Sequence, residues 1–285
     1  MEKKFTITAS PHVFHGMNTP SMMYKVCIAL IPALIASVIF FGSKAVILII
    51  TCISACVLSE ALFKKFRGRK ISIDDGSALV TGLLLAMVIP PGLPVWMAIL
   101  ASVFAIGIGK EIFGGLGHNI FNPALLGRAF LSAAFPVKMT IYSAPFFKST
   151  TGSVLGIDAA TCATPLGLMK FEGATTGIWS LFLGNVAGSV GETSALALLI
   201  GGAYLLIKRY ADWRIPAGFI GSICVSGGIL HLLCPDKYPG MLFHLLAGGI
   251  IIGALFMATD PVTSPVTKPG RWIFGIGCGL LVIII

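Results

Sequence analysis

Charged side chains are scarce in this sequence: Asp, Glu, Lys and Arg make up 11% of the residues, against 56% hydrophobic ones. With a mean hydropathy of +0.95, the 285 residues hold more apolar side chain than a water-soluble core can bury, which excludes an ordinary soluble domain. Acidic residues are the rarer sign, 11 against 20 basic. The resulting charge of +9 gathers at the ends of apolar runs, where Lys and Arg set membrane topology. No helix-turn-helix pattern, zinc spacing or aromatic-interleaved basic stretch is present, so nucleic acid is excluded as a partner. The histidines His12, His15, His118, His231 and His244 form no ligand cluster, and no metal is assigned. Cys27, Cys52, Cys56, Cys162, Cys224, Cys234 and Cys278 lie mostly inside apolar segments and build no disulfide framework. Cys52 and Cys56 share a helix face and are read as packing residues. The polar stretch up to Tyr24 lacks a short apolar run with a small-residue cleavage site, so the first apolar run is a retained helix and not a signal peptide.

What the chain does have is a succession of apolar runs. Hydropathy places spans at about Tyr24–Phe41, Ala45–Phe63, Ser77–Ile89, Val95–Phe113, Pro123–Phe135, Ser194–Ile207, Ile215–Leu233, Met241–Ala258 and Trp272–Ile285. The third and fifth are short for a crossing of roughly 30 Å. Bounded by Pro90 and Pro91, or opened by Pro123, they read as broken helices whose free backbone ends line a cavity. The basic run from Lys64 to Lys70 belongs in the cytoplasm by the positive-inside rule. Lys3, Lys4, Lys110, Lys208, Arg209, Arg214, Lys268 and Arg271 agree with it only if the connection from Pro136 to Thr193 lies on the outer face. The apolar piece Gly177–Ala187 then lies at the surface or dips in and out.

The expected fold is an all-α polytopic membrane protein of about ten transmembrane helices, arranged as two inverted five-helix repeats with the last helix missing from this chain. Residues 1–23 form a cytoplasmic N-terminal segment, 24–135 the first repeat, 136–193 the outer connection and 194–285 an incomplete second repeat. Thr81–Pro90 echoes Gly248–Pro261, each a Gly-opened apolar helix closing on Pro.

The outer connection contains D-A-A-T-C-A-T-P-L-G, from Asp158 to Gly167, a polar loop of small residues. The pattern Asp-x-x-Thr-x-Ala-Thr resembles the site where a flavin transferase esterifies the phosphate of FMN onto threonine. The resemblance implies attachment at Thr164, with Asp158 and Thr161 as recognition positions. Thr161 and Cys162 stand where Ser and Gly are usual, and the decoy E-G-A-T at Glu172–Thr175 lacks the upstream Asp. The plain alternative is a threonine-rich surface loop. H-N-I-F-N-P-A-L-L-G-R-A-F-L (His118–Leu131), G-N-V-A-G-S-V-G-E-T-S (Gly184–Ser194) and F-M-A-T-D-P-V (Phe256–Val262) extend the likeness along nearly the whole chain. Together they resemble the NqrB/RnfD family, the large membrane subunits of Na+-translocating NADH:quinone reductase and of the Rnf complex.

The compact N-terminus resembles the Rnf member more closely. The family implies an electron-transfer subunit coupling ferredoxin:NAD oxidoreduction to Na+ or H+ translocation, without complete activity alone. It implies covalent FMN on Thr164 on the extracytoplasmic side, and a noncovalent riboflavin near Asn119 and Asn122. The implied partners are the other membrane and redox subunits, among them a second FMN-bearing subunit, together with the flavin transferase and membrane lipid. The implied location is the inner (plasma) membrane of a bacterium or archaeon. Asn119 and Asn122 also fit a helix entry capped by their side chains. Arg128, expensive in lipid, faces a polar site or snorkels. Asp260 and Glu192 read as ion-path residues or as structural caps, and Asp74 and Asp75 as an N-terminal cap. Two other readings stay open: a quinone reductase subunit, and a cofactor-free inverted-repeat channel or transporter.

Overall fold

The computed structural model describes residues 18–69, 74–145, 161–235 and 238–285. Asp158 and the first 17 residues lie outside them, as do Lys70 and the side chain of Thr161. The described chain is mostly helical. Three helices, α1 (Thr19–Phe41), α2 (Ser43–Phe66) and α10 (Arg214–Leu233), are long and apolar enough to cross a membrane. α1 and α2 are separated only by Gly42, at φ 60° and ψ −139°, a region in which a β-carbon is strained.

α3 (Ser77–Met87) is short and buried along almost its whole length. It stops where Pro90 and Pro91 remove backbone donors and disfavour helical geometry before them. Its free carbonyl ends are met by another segment: Gly191 N donates to Met87 O at 2.7 Å and Val190 N to Ile89 O at 3.1 Å. A β-carbon on residue 191 would lie 2.5 Å from Met87 Sδ, so the approach needs glycine. α4 (Val95–Ile106) continues through a π-helical turn, Gly107–Glu111. α5 (Pro123–Ala134) and α6 (Pro136–Thr140) complete this half.

The connection from 136 to 193 is partly structured. Tyr142–Ser143 (β1) pairs antiparallel with Thr161–Cys162 (β2), Tyr142 opposite Cys162. α7 (Pro165–Glu172) and α8 (Ile178–Leu183) follow, the latter within the apolar piece expected to lie at a surface. α9 (Ala195–Ile207), capped by Ser194, opens the second half.

The expected continuous span Met241–Ala258 is broken. α11 (Met241–Leu246) ends before Ala247–Gly249, with Gly248 at φ 74°, and α12 (Ile250–Ile252) runs on as a second π-helical turn, Gly253–Met257. Its hydropathy is continuous, but adjacent glycines permit a turn where Leu166 and Glu192 press against the chain. α13 (Lys268–Ile284) closes the second half on α10.

α2 packs on α3 and α4, while α1 against α9 joins the halves. At that crossing a β-carbon on Gly201 would sit 1.9 Å from Ala29 O. α3 and the π turn that continues α12 end on Met87 and Met257, which share one core. Met87 O accepts from Gly191 N of the connection, and Met257 O from Asn122 Nδ2, across from the segment before α5, at 3.4 Å, as well as from the nearby Asp260 N. The carbonyls of Met87 and Met257, at the ends of the broken helices, are thus paired inside the apolar interior.

Candidate functional site

Two cavities with mainly apolar walls and a few polar groups lie at the broken helices. The first is lined by Ser77 and Thr81 of α3, Lys110 of the π turn, Asn119 and Asn122 before α5, and Asp260 after the second π turn. Asn122 caps α5, its Oδ1 accepting from Ala124 N at 3.0 Å and Leu125 N at 3.4 Å while its Nδ2 reaches Met257 O. Its hydrogen bonds are therefore committed to helix entry and to joining the halves. Asn119, also buried, donates to Phe121 O at 3.3 Å, a weaker hold on its side chain. Asp260 makes a local turn, accepting from Val262 N and Thr263 Oγ1, each at 3.2 Å. Burial pushes its carboxyl above the usual range, and those two bonds only partly oppose the rise.

Lys110 leads from this cavity into a buried charge cluster that sequence patterning does not assemble. Its Nζ donates to Glu60 Oε1 at 2.8 Å and to Ser77 Oγ. Lys64, one turn beyond Glu60 on α2, also pairs with that carboxylate and lies 3.9 Å from Asp75 Oδ2. Glu60 and Lys110 are 1% and 2% exposed, so these are interior charges held by mutual neutralisation. Glu111 beside them is equally buried, and among the described residues its carboxylate oxygens have no hydrogen-bond partner. Along the chain Lys64 and Lys110 look like topology markers alone. The signal for more is a glutamate in an apolar helix four residues before a lysine, followed by Lys-Glu inside a second apolar run. Gly76, not Asp74 or Asp75, holds the N-cap position of α3; Asp75, one residue earlier, accepts from Ser77 N at 3.0 Å and Ser77 Oγ at 2.7 Å. Burial pushes its carboxyl up, but the Ser77 bonds and the Lys110 and Lys64 ammoniums outweigh that and hold it below the usual range.

The second cavity, about 150 Å³, brings together residues from three distant stretches: Arg128 of α5, Tyr142 of β1, Thr164, and Glu192 before α9, with Val186 and Gly248. Thr164 is half-buried and caps α7, its Oγ1 accepting from Gly167 N at 3.1 Å. Arg128 does not snorkel away. Its Nη1 donates to Glu192 Oε1 at 2.6 Å, the arginine side chain 32% and the glutamate 8% exposed. Burial among these groups pushes the Tyr142 phenol up, reinforced by the Glu192 charge and opposed by Arg128. Thr175 of the decoy lies in an exposed non-helical stretch beyond α7.

Threonine at an N-cap suits esterification for a simple reason: among the described residues its oxygen serves as an acceptor, and an ester oxygen still accepts. The small, exposed Ala163 leaves one side open, and Arg128 supplies positive charge to the same cavity. The residues present therefore fit a phosphoester at Thr164.

These features define a polytopic helical membrane protein in which two interrupted helices line a cavity that leads into a buried ion-pair cluster. The profile of the family described as NQR2, RnfD, RnfE matches residues 6–285, and the chain belongs to that family. It is 43% identical, over 97% of its length and 85% of the relative's, to the D subunit of the proton-translocating ferredoxin:NAD(+) oxidoreductase complex of Clostridium ljungdahlii. It is 42% identical to the D subunit of the Na(+)-translocating ferredoxin:NAD(+) oxidoreductase complex of Acetobacterium woodii, over 100% of this chain and 86% of that one. The D subunit of the ion-translocating oxidoreductase complex of Stutzerimonas stutzeri is 41% identical, over 93% and 82%.

Proposed function

We propose that this chain is the D-type subunit of a membrane complex that couples electron exchange between ferredoxin and NAD to movement of Na+ or H+, and that it carries FMN as a phosphoester on Thr164. The observation that carries the flavin reading is that Thr164 and Arg128 line one cavity. When bound, the flavin supplies one- and two-electron transfer, and the chain contributes position and electrostatics. Thr164 fixes the point of attachment at the start of α7, and Arg128, Glu192 and Tyr142 set the polarity of the cavity beside it.

Lys25, which stacks on Tyr210, lies with Lys64, Lys110, Arg214 and Arg271 toward the end of the bundle bearing the first cavity. This distribution supports a cytoplasmic first cavity and an extracytoplasmic Thr164 in the inner membrane. The two interrupted helices, each ending in the shared core on Met87 or Met257, support the inverted repeat. In the first cavity Asn119, more weakly held than Asn122, is the better hydrogen-bonding partner for a noncovalent riboflavin. The surrounding subunits and the flavin transferase are partners on this reading.

In-gel flavin fluorescence after denaturing electrophoresis tests the attachment, with native chain and Thr164→Ala each co-expressed with a flavin transferase. A fluorescent band lost on substitution is expected. A dark native band beside a fluorescent control protein overturns the flavin reading and leaves a cofactor-free transporter to be tested. Ferredoxin-dependent NAD reduction in membranes, lost on deletion of the chain, is the expected complex activity. Loss of only quinone-dependent NADH oxidation places it instead in the quinone reductase.

A further inference from the structure

Arg128 and Glu192 pair inside the Thr164 cavity although they are 64 residues apart on different elements. Arg128 is the one cation and Glu192 the one acid among the described residues lining it. A guanidinium presents five donors, and among the described residues Arg128 places only one of them on a protein acceptor, Glu192. Glu192 is itself pressed against the break in the second half, its Oε1 2.6 Å from where a Gly249 β-carbon would lie. The pair thus stands between the loop that carries Thr164 and the broken helix.

We propose that Arg128 is a cofactor-positioning residue: its guanidinium holds the phosphate of the Thr164 ester, and Glu192 is the anion that occupies it otherwise. The inference rests on Thr164 carrying the flavin. A phosphodiester between threonine and the ribityl chain keeps one negative charge shared by two free oxygens, the geometry that a guanidinium fork matches. An arginine on an apolar helix of a membrane protein needs a counter-charge, and Glu192 provides it while the cavity holds no ester. Attachment adds a second anion to a pair that was neutral, so Arg128 is shared between phosphate and carboxylate. The start of α7 is thereby fastened to α5. No bond is made or broken beyond the ester itself.

The test uses the purified full-length chain, flavinylated by co-expression, with Arg128→Gln, Arg128→Lys and Glu192→Gln compared with native protein. In-gel fluorescence reports attachment, and time-resolved fluorescence anisotropy of the folded protein reports whether the attached flavin is held or swings on its tether. Native protein is expected to show mainly the slow decay of the whole particle. Arg128→Gln is expected to keep the flavin and lose most of that slow component, Arg128→Lys to restore part of it, and Glu192→Gln to keep or increase it. A purely structural ion pair makes the two glutamine variants loosen the flavin alike, and that result overturns the proposal, as does native anisotropy in a flavinylated Arg128→Gln. If Arg128→Gln does not accumulate, Glu192→Gln decides: loss of the slow component there refutes the charge assignment, and its retention, with partial retention in Arg128→Lys, supports it. A native chain with no covalent flavin removes the Thr164 reading itself, an outcome the denaturing gel separates from failure of the Arg128 assignment.

Discussion

Replacing Glu60 by Gln should be among the most damaging single substitutions of a polar residue in this protein. Glu60 is 1% exposed and faces two ammoniums, Lys64 and Lys110, the latter 2% exposed. Glutamine keeps the volume and one acceptor but removes the charge between two buried cations, leaving Asp75 at 3.9 Å from Lys64. Breaking a buried ion pair from one side costs about 3–5 kcal/mol. Lys110→Met should be milder, about 1–3 kcal/mol, because Glu60 retains Lys64 while Ser77 Oγ loses a donor. The double variant should cost less than the sum of the singles, with a coupling of about 0.5–3 kcal/mol. Thermal unfolding in detergent, followed by the loss of monodisperse protein, reads these differences. At roughly 2–4 °C per kcal/mol, Glu60→Gln should lower the apparent Tm by roughly 6–20 °C. A Tm equal to the native value, or strictly additive singles, would refute the view that these charges neutralise one another in the interior.

Two further substitutions bear on the crossing between halves and on Asp260. Gly201→Ala places a methyl group 1.9 Å from Ala29 O, a backbone atom that cannot turn away. It should cost about 1–3 kcal/mol or more by Tm, whereas Gly221→Ala, with nothing within 4 Å, should be neutral or stabilising by under about 1 kcal/mol. Asp260→Asn removes a carboxyl whose folded pKa is raised by burial. A raised acid is favoured in its neutral form, so its ionisation erodes stability as pH rises from the unfolded value through the folded one. The Tm of Asp260→Asn relative to native should therefore improve as pH rises from about 4 toward neutrality, and a difference independent of pH would contradict the burial effect.

The sequence was informative where a single property decides structure. Apolar runs located the three crossing-length helices, and Pro90, Pro91 and Pro123 marked α3 and α5 as short. Met241–Ala258 misled because hydropathy averages over a window, and a turn at Gly248 barely changes the average. Thr164 was legible as a local pattern, and Asn122 as a helix cap. The company of Thr164 was not legible: Arg128 and Glu192 each stand out among apolar neighbours, but nothing along the chain joins them.

By itself, the sequence determined what kind of solvent this protein folds in and how its apolar segments are spaced. These follow from composition and from contacts within a few residues. The tertiary structure alone decided that Lys110 and Lys64 close on Glu60, that Arg128 meets Glu192 beside Thr164, and that Gly191 and Asn122 reach the ends of the two broken helices. In an apolar interior an unpaired charge or carbonyl is costly, yet the address of its partner depends on how helices cross.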